Sequence, residues 1–295
     1  MNPLCPFCGT SRPKKICAKP DRLKKPVDIL RCAVCGLIFG WPFPTEEELR
    51  QLYSADYFHC DTPLHGGYED YQGDEEEIKK TFQRRWKSLM RYVPAQRPLR
   101  VLDVGCATGI FLTVARDAGA VPFGVERSAY AAEIAQSKGI PVFQGQLEAA
   151  SFETGSFDVI TLWDVIEHVV DPLALLQSCA QRLHDGGILV LSTPDASSML
   201  ARLLGSYWLG FRSVGEHLYF FGHPTMRAYL DKAGFETLAM HGIGKYMKWD
   251  RLLRRLGYYA RIFDWLRRFP HFTTPSSYIY SGDTFCAIAR KRTSL

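Results

Sequence analysis

The sequence predicts an α/β protein built on a doubly wound parallel sheet, with a small N-terminal zinc ribbon in front of it. Three observations predict this. From residue 99 onward, apolar runs of strand length alternate with amphipathic segments of helix length, the order expected of strands joined by crossover helices. One of these runs, Val101-Leu102-Asp103-Val104, passes directly into a small-residue turn between Gly105 and Gly109, where main-chain N–H groups at a helix start can meet a nucleoside-bearing ligand. Near the N-terminus, Cys5-Pro-Phe-Cys8-Gly and Cys32-Ala-Val-Cys35-Gly form two C-x-x-C-G knuckles, the spacing that supplies four soft ligands to one tetrahedral Zn²⁺.

A chain of 295 residues has room for one large α/β domain with an appendage. No apolar run reaches the length of a membrane-spanning helix, and the first residues lack the basic and apolar regions of a secretory signal. The expectation is a cytoplasmic protein, in which nine cysteines serve as metal ligands or buried thiols. The net charge of +5 is unevenly spread: Lys14, Lys15, Lys19, Arg22, Lys24, Lys25 and Arg31 crowd the first 40 residues, and Glu46 to Glu48 and Asp74 to Glu77 follow. Neighbouring segments of opposite sign leave little net field, although a basic module for an acidic partner such as nucleic acid stays open.

In chain order, residues 1–44 read as the ribbon, with Cys5, Cys8, Cys32 and Cys35 as ligands and Cys17 as a bystander. Four thiolates leave no open position, so the metal would be structural and would supply folding energy to a segment with little core of its own. Trp41-Pro-Phe-Pro44 marks a stiff boundary. Residues 45–96 read as a helical connector or lid. Thr45 caps a helix through Leu49 and Leu52, Tyr53, Tyr57 and Tyr68 are lid candidates, and a second helix runs from Glu75 to Tyr92 with Ile78, Phe82, Trp86, Leu89 and Met90 on one face.

Residues 97–295 read as the main domain. After the glycine turn a helix runs to Gly119, and the strand Val121 to Val125 ends in Glu126. An acid at the end of the second strand suits the two hydroxyls of a ribose. A helix from Ala129 to Lys138, a strand near Ile140 to Phe143, the loop Gln146-Leu147, and a strand Val159 to Trp163 follow. The last of these opens into Asp164-Val-Ile-Glu167-His168, a dense polar cluster at a strand end. A fifth strand spans Ile188 to Leu191, a helix is expected between Asp195 and Leu209, another from Pro224 to Ala233, and a final strand from Tyr278 to Lys291. Insertion or lid elements are expected near 195–225 and 245–272. In the second, apolar residues at helical spacing among many arginines read as an amphipathic lid helix, with contact to a diphosphate, a lipid-linked acceptor or a membrane surface as the alternative.

These residues resemble the class I S-adenosylmethionine-dependent methyltransferases. The resemblance rests on Asp103-Val-Gly105-Cys-Ala-Thr-Gly109, Glu126, Gly155-Ser-Phe-Asp158, Trp163-Asp-Val-Ile-Glu-His168 and Gly186-Gly187, and it covers Leu99 to Thr193 strongly. It implies a Rossmann-like methyltransferase sheet and an enzyme that uses S-adenosyl-L-methionine. Carried over, Asp103, Gly105 and Gly109 line the methionine end, Glu126 takes the ribose, Gln146 and Leu147 edge the adenine, and Trp163 lies at the cofactor-binding strand end. Two positions depart from the family pattern, Ala107 for a frequent glycine and Gln146 for a frequent aspartate. The incomplete G-x-G-x-x-G argues against a NAD-linked dehydrogenase.

The Trp-Asp-x-x-Glu-His cluster also belongs to methyltransferases of small molecules and quinone precursors. With the zinc module, Glu216-His217-Leu-Tyr-Phe resembles zinc-containing methyltransferases of deoxysugar and secondary-metabolite pathways. That resemblance implies a sugar or secondary metabolite methylated at O or C, with His217 as general base beside Glu216 and with His168 as a lesser candidate. Two alternatives remain open: an RNA methyltransferase that grips nucleic acid with the basic ribbon, and metal-assisted O-methylation of a vicinal diol by Asp164, Glu167, His168 and His217. A non-catalytic scaffold with a preserved cofactor fold is the third class, disfavoured by the intact Glu126 and glycines.

Overall fold

The computed structural model describes residues 3–45, 47–48, 74–93, 98–253 and 275–293. The expected helix through Leu49 and Leu52, the aromatic lid residues Tyr53, Tyr57 and Tyr68, and most of the arginine-rich segment after Leu253 lie outside the described residues.

The N-terminal part forms β1 (Lys14–Pro20), β2 (Pro26–Arg31) and β3 (Ile38–Trp41). From Glu75 onward the chain forms α1 (Glu75–Leu89), β4 (Arg100–Val104), α2 (Ile110–Asp117), β5 (Val121–Glu126), α3 (Ala129–Ser137), β6 (Val142–Gln144), β7 (Phe157–Trp163), α4 (Pro172–Arg182) and β8 (Leu183–Pro194). It continues with α5 (Met199–Leu204), β9 (Tyr219–Phe220), α6 (His223–Lys232), β10 (Phe235–Gly242), β11 (Lys245–Lys248), β12 (Ser276–Ile279) and β13 (Thr284–Lys291).

Seven strands form the central sheet in the order β10-β13-β8-β7-β4-β5-β6. Strands β6, β5, β4, β7 and β8 run parallel, and β13 enters antiparallel between β8 and β10. The chain steps outward from β4 through β5 to β6, then crosses back to β7, so the order reverses at the β4–β7 junction. Ligands of doubly wound sheets bind at this switch point.

Both faces of the sheet are covered. Leu102, Ile160 and Leu189 belong to one buried cluster, and their neighbours Val101, Val159 and Val190 belong to the other. This two-residue alternation between two cores is why β4, β7 and β8 read as continuous apolar runs. Trp86 and Leu89 of α1 pack into the second core beside Phe111 of α2. Three helices start as their sequences direct: Ser128, Asp171 and Ser198 accept backbone N–H bonds from Ala131, Ala174 and Ala201, satisfying donors that a helix start leaves open.

The structure departs from the sequence expectations at the C-terminal side. The helix expected between Asp195 and Leu209 is only the six residues of α5, followed by two 3₁₀ turns at Gly205–Tyr207 and Leu209–Ser213. The break falls at Gly205, which adopts φ 51. The final strand expected from Tyr278 to Lys291 is divided between β12, which pairs with β11, and β13 of the central sheet. Residues 280–283 separate the two.

The ribbon does not close on itself. Strand β9 pairs with β3, setting Ile38 against Phe220 and Phe39 against Tyr219, and so completes a four-stranded sheet in the order β1-β2-β3-β9. Cys5, Leu30, Cys32, Leu37 and Phe39 share one buried cluster with Tyr219, Phe221 and Tyr229. Phe7 of the first knuckle stacks on Tyr229 at 4.3 Å between ring centres.

Candidate active site and cysteine cluster

The cofactor-binding candidates gather at the ends of β4, β5 and β6. Gly105 adopts φ 72, and a Cβ there would lie 2.6 Å from Val165 Cγ2, so the position requires glycine both for its left-handed backbone and for its contact. Ala107, also in the turn, adopts φ 47, a conformation that costs an L-residue roughly 1–2 kcal/mol. Its methyl group is therefore tolerated under strain. The turn ends at Gly109, the N-cap of α2, which has no side-chain cap. The opening N–H groups of α2 thus lack the side-chain acceptor that α3, α4 and α5 possess, as suits a helix start that receives a ligand.

Glu126 lies against this turn. Its Oε2 accepts from Ala107 N at 2.9 Å and its Oε1 from Ser128 N at 2.8 Å. Burial raises its pKa, and these backbone donors act in the opposite direction. Gly145 N donates to Glu126 O at 2.8 Å, which sets exposed Gln146 and buried Leu147 beside the β5 end. The site candidates on three successive strands are thereby brought to one rim.

Asp103 is 2% exposed and accepts from Thr161 Oγ1 at 2.6 Å. Burial pushes its pKa up to about 8, Thr161 lowers it, and the neighbouring Glu126 adds to the rise. An unfolded Asp titrates near pH 4. Between roughly pH 4 and 8 the folded chain therefore holds a proton that the unfolded chain has released, and stability falls as pH rises through that window. Urea midpoints of the cofactor-free protein should accordingly drop from pH 5 to pH 8, and Asp103→Asn should flatten the drop. An unchanged pH profile in the variant would remove Asp103 as its source.

Trp163 is 9% exposed. Its ring packs on Phe111 and Phe82, with centroid distances of 5.3 and 5.7 Å, and Arg85 lies 4.9 Å over it. Trp163 Nε1 and Arg85 Nε are both buried without a hydrogen-bond partner among the described residues. Sequence reasoning missed Arg85; the signal was a basic residue beside the apolar face of α1. The Asp158 motif lies elsewhere, at the start of β7. There it accepts from Arg100 N at 2.8 Å and pairs with His184 at 2.9 Å, tying adjacent strands together.

Beyond β7 the acceptor candidates meet. His168 and His217 lie edge to face with ring centres 4.7 Å apart. Glu167, His168 and His217 each bring a ligand atom within 4.8 Å of the others. Glu167 is 1% exposed, and neither carboxylate oxygen has a hydrogen-bond partner among the described residues. Burial, then Asp164, raises its pKa, and the nearby Thr193 hydroxyl acts in the opposite direction. Burial lowers His168 to about 4 and lowers His217 well below the usual histidine value, with His168 adding to the latter. Both rings are neutral near pH 7.

Asp164 does not join this group. Its Oδ1 accepts from Ser192 Oγ at 2.7 Å. Glu216 is buried, but its carboxylate faces Arg22 Nη1 of the ribbon at 3.5 Å, and its carbonyl is 3.0 Å from His168 Nδ1. Val165, which touches the Gly105 position, joins the glycine turn to this cluster within one short loop.

The ribbon cysteines converge as their spacing predicts. Cys5 Sγ lies 3.5 Å from Cys35 Sγ, and Cys8 Sγ lies 3.5 Å from Cys32 Sγ. All four sulfurs lie within 4.8 Å of one another. These separations are too long for disulfides and close to the ~3.8 Å edge of a tetrahedron with Zn–S bonds of about 2.3 Å.

A family model described as a methyltransferase domain matches residues 76–240. A ubiquinone biosynthesis O-methyltransferase of Haemophilus ducreyi is 31% identical over 159 residues, 48% of this chain and 67% of that protein. One of Thiobacillus denitrificans is 31% identical over 169 residues, 52% of this chain and 73% of that protein. Among solved structures, an S-adenosylmethionine-dependent methyltransferase of Archaeoglobus fulgidus has the same fold, with a TM-score of 0.51 at 18% identity over 75% of this chain and 99% of that one. The family model begins after the ribbon, on the segment that builds the glycine turn, Glu126 and the β7 rim. The chain belongs to the S-adenosylmethionine-dependent methyltransferases with a Rossmann-like sheet.

Proposed function

We propose that the protein transfers a methyl group to a hydroxyl oxygen of a small ring acceptor of the ubiquinone-precursor type. The observation that carries this reading is the Glu167, His168 and His217 cluster, one loop away from the glycine turn. The Haemophilus ducreyi and Thiobacillus denitrificans relatives are ubiquinone biosynthesis O-methyltransferases, which favours such an acceptor over the sugar or secondary metabolite expected from the Glu216-His217 motif.

Bound S-adenosylmethionine supplies a methyl group already activated by its sulfonium. Asp103, Gly105 and Gly109 hold its methionine end, Glu126 accepts from the ribose hydroxyls, and Gln146 with Leu147 borders the adenine. Arg85 and Trp163 offer two buried donors suited to a carboxylate. His217, neutral at working pH, takes the acceptor proton.

A second reading is favoured by the buried Glu167 carboxyl group beside the two imidazoles. Two neutral imidazoles and one buried carboxyl group make a mixed donor set for a divalent cation, and a bound cation would favour the ionised form of Glu167 that burial and Asp164 disfavour. Glu167, His168 and His217 would then grip a vicinal diol, as in a catechol, and the metal would lower the pKa of its hydroxyl. We also propose a structural Zn²⁺ on Cys5, Cys8, Cys32 and Cys35.

The RNA reading is less well supported, because Lys15 and Lys25 of the ribbon pair with Asp28 and Glu48. No helix among the described residues is long and apolar enough to cross a membrane; peripheral contact with a membrane surface remains a proposal. The test is methyl transfer from labelled S-adenosylmethionine to a soluble catechol, a nucleotide-linked deoxysugar and a structured RNA, with products identified by mass. O-methylated catechol is the expected product. Transfer to the sugar or the RNA alone would overturn the reading.

A further inference from the structure

The tip of the ribbon hairpin reaches the acceptor cluster. Its turn is closed by Asp21 N donating to Lys25 O at 2.9 Å and Lys25 N donating to Asp21 Oδ1 at 2.7 Å. Asp21 packs on Gly215, where a Cβ would come within 2.5 Å of Asp21 Cβ. Gly215 also adopts φ 94. The next residue of the tip, Arg22, meets the carboxylate of Glu216 at 3.5 Å, with the two side chains 20% and 3% exposed.

The segment behind Glu216 is tied on both sides. Gly40 N of β3 donates to Leu218 O at 2.9 Å, and Leu218 N donates to Glu167 O at 2.8 Å. The residues that carry His217 are therefore laced between the ribbon and the loop of Glu167 and His168. Glu216 O has a definite consequence for His168. A carbonyl only accepts, so Nδ1 at 3.0 Å must carry the proton, and the lone pair of the neutral ring is left on Nε2. A carbonyl partner of this kind fixes the tautomer of a working histidine.

We propose that Arg22 is a positioning residue of the acceptor site: its ion pair anchors Glu216, whose carbonyl holds His168 in the Nδ1–H tautomer. The ribbon is then a wall of the active site. The proposal rests on Glu167, His168 and His217 being the acceptor centre, and its first test needs no acceptor.

Imidazole ¹H–¹⁵N spectra of histidine-labelled full-length protein are compared for wild type, Arg22→Ala, Arg22→Lys and the surface control Lys15→Ala. Wild type and Lys15→Ala should show His168 as a single Nδ1–H tautomer. Arg22→Ala should show exchange between tautomers, and Arg22→Lys should restore the single form in large part. If Arg22→Ala does not fold, Glu216→Gln replaces it, since it keeps the carbonyl and removes the ion pair. A single, unshifted tautomer in a folded Arg22→Ala or Glu216→Gln protein overturns the proposal.

In turnover on a catechol, Arg22→Ala should lower kcat by about 10–100-fold without changing the KM for S-adenosylmethionine. Loss confined to that KM also overturns it. Failure of wild type to methylate any acceptor overturns the acceptor reading, and the spectra then still decide the role of Arg22.

Discussion

Replacing His217 by alanine is expected to lower kcat by about 10²–10⁴-fold and to leave the affinity for S-adenosylmethionine unchanged. The ring is half-buried against His168, and its Nδ1 has no hydrogen-bond partner among the described residues. Nothing in those contacts holds the fold in the way that Phe220 or Phe221 does, so the variant should remain folded. Burial keeps the ring neutral near pH 7, and a neutral imidazole can accept the acceptor proton. Its depressed pKa makes it a weak base, however, and this is the physical argument for metal assistance. The two roles separate on titration with Mn²⁺. As a base, His217 gives wild-type activity independent of added divalent metal, and the alanine variant stays inactive at every concentration. As a ligand, it makes turnover metal-dependent, and the variant recovers part of its rate at high metal. Isothermal calorimetry checks cofactor binding in parallel. A variant with full turnover would exclude both roles.

Replacing Cys32 by serine should lower the melting temperature by more than about 10 °C, corresponding to a loss of roughly 5 kcal/mol for a domain of this size. Cys32 is 2% exposed and belongs to the same buried cluster as Phe39, Tyr219 and Tyr229. Structural zinc in a peptide of ribbon size contributes about 10–16 kcal/mol to folding. Here the loss should spread, because loosening the knuckles uncovers Phe7 on Tyr229 and frees β3 from β9. Differential scanning calorimetry with metal analysis checks this. If Cys32→Ser melted within a degree or two of wild type, the cluster would hold no structural metal.

The gathering of the candidate cofactor residues at one rim was legible because they are local in sequence. Strand, turn and helix follow one another from Val101 to Asp117, and Glu126 lies one crossover further on. Chemistry there is encoded in spacing, and the crossover rule for parallel strands does the rest. The acceptor half was legible as residues but not as partnerships. Glu216 and His217 stand adjacent in sequence, yet the Glu216 carboxylate turns to Arg22, and the His217 ring turns to His168. Arg22 looked like one more surface cation in a basic stretch, since no periodicity marks a residue that acts across the fold. Strand β9 escaped notice because its two residues, Tyr219 and Phe220, are too few for alternation to register. Strand β10 was missed for a different reason. Its burial pattern after Phe235 is mostly intermediate, as befits the edge of the sheet, so no clean apolar run announced it. Ala107 illustrates the remaining gap: its methyl group could be weighed from sequence, but its left-handed backbone appears only when the turn is closed.

The pairing of β3 with β9 joins segments about 180 residues apart in sequence. A ribosome adding 5–20 residues per second needs on the order of 10–35 s to supply Tyr219 and Phe220 after β3 has emerged. During that interval the hydrogen-bonding edge of β3 has no native partner, and an unpaired edge is an invitation to wrong ones. The module made first is therefore finished late. A metal that clamps the knuckles early would guard this edge while the chain is still growing.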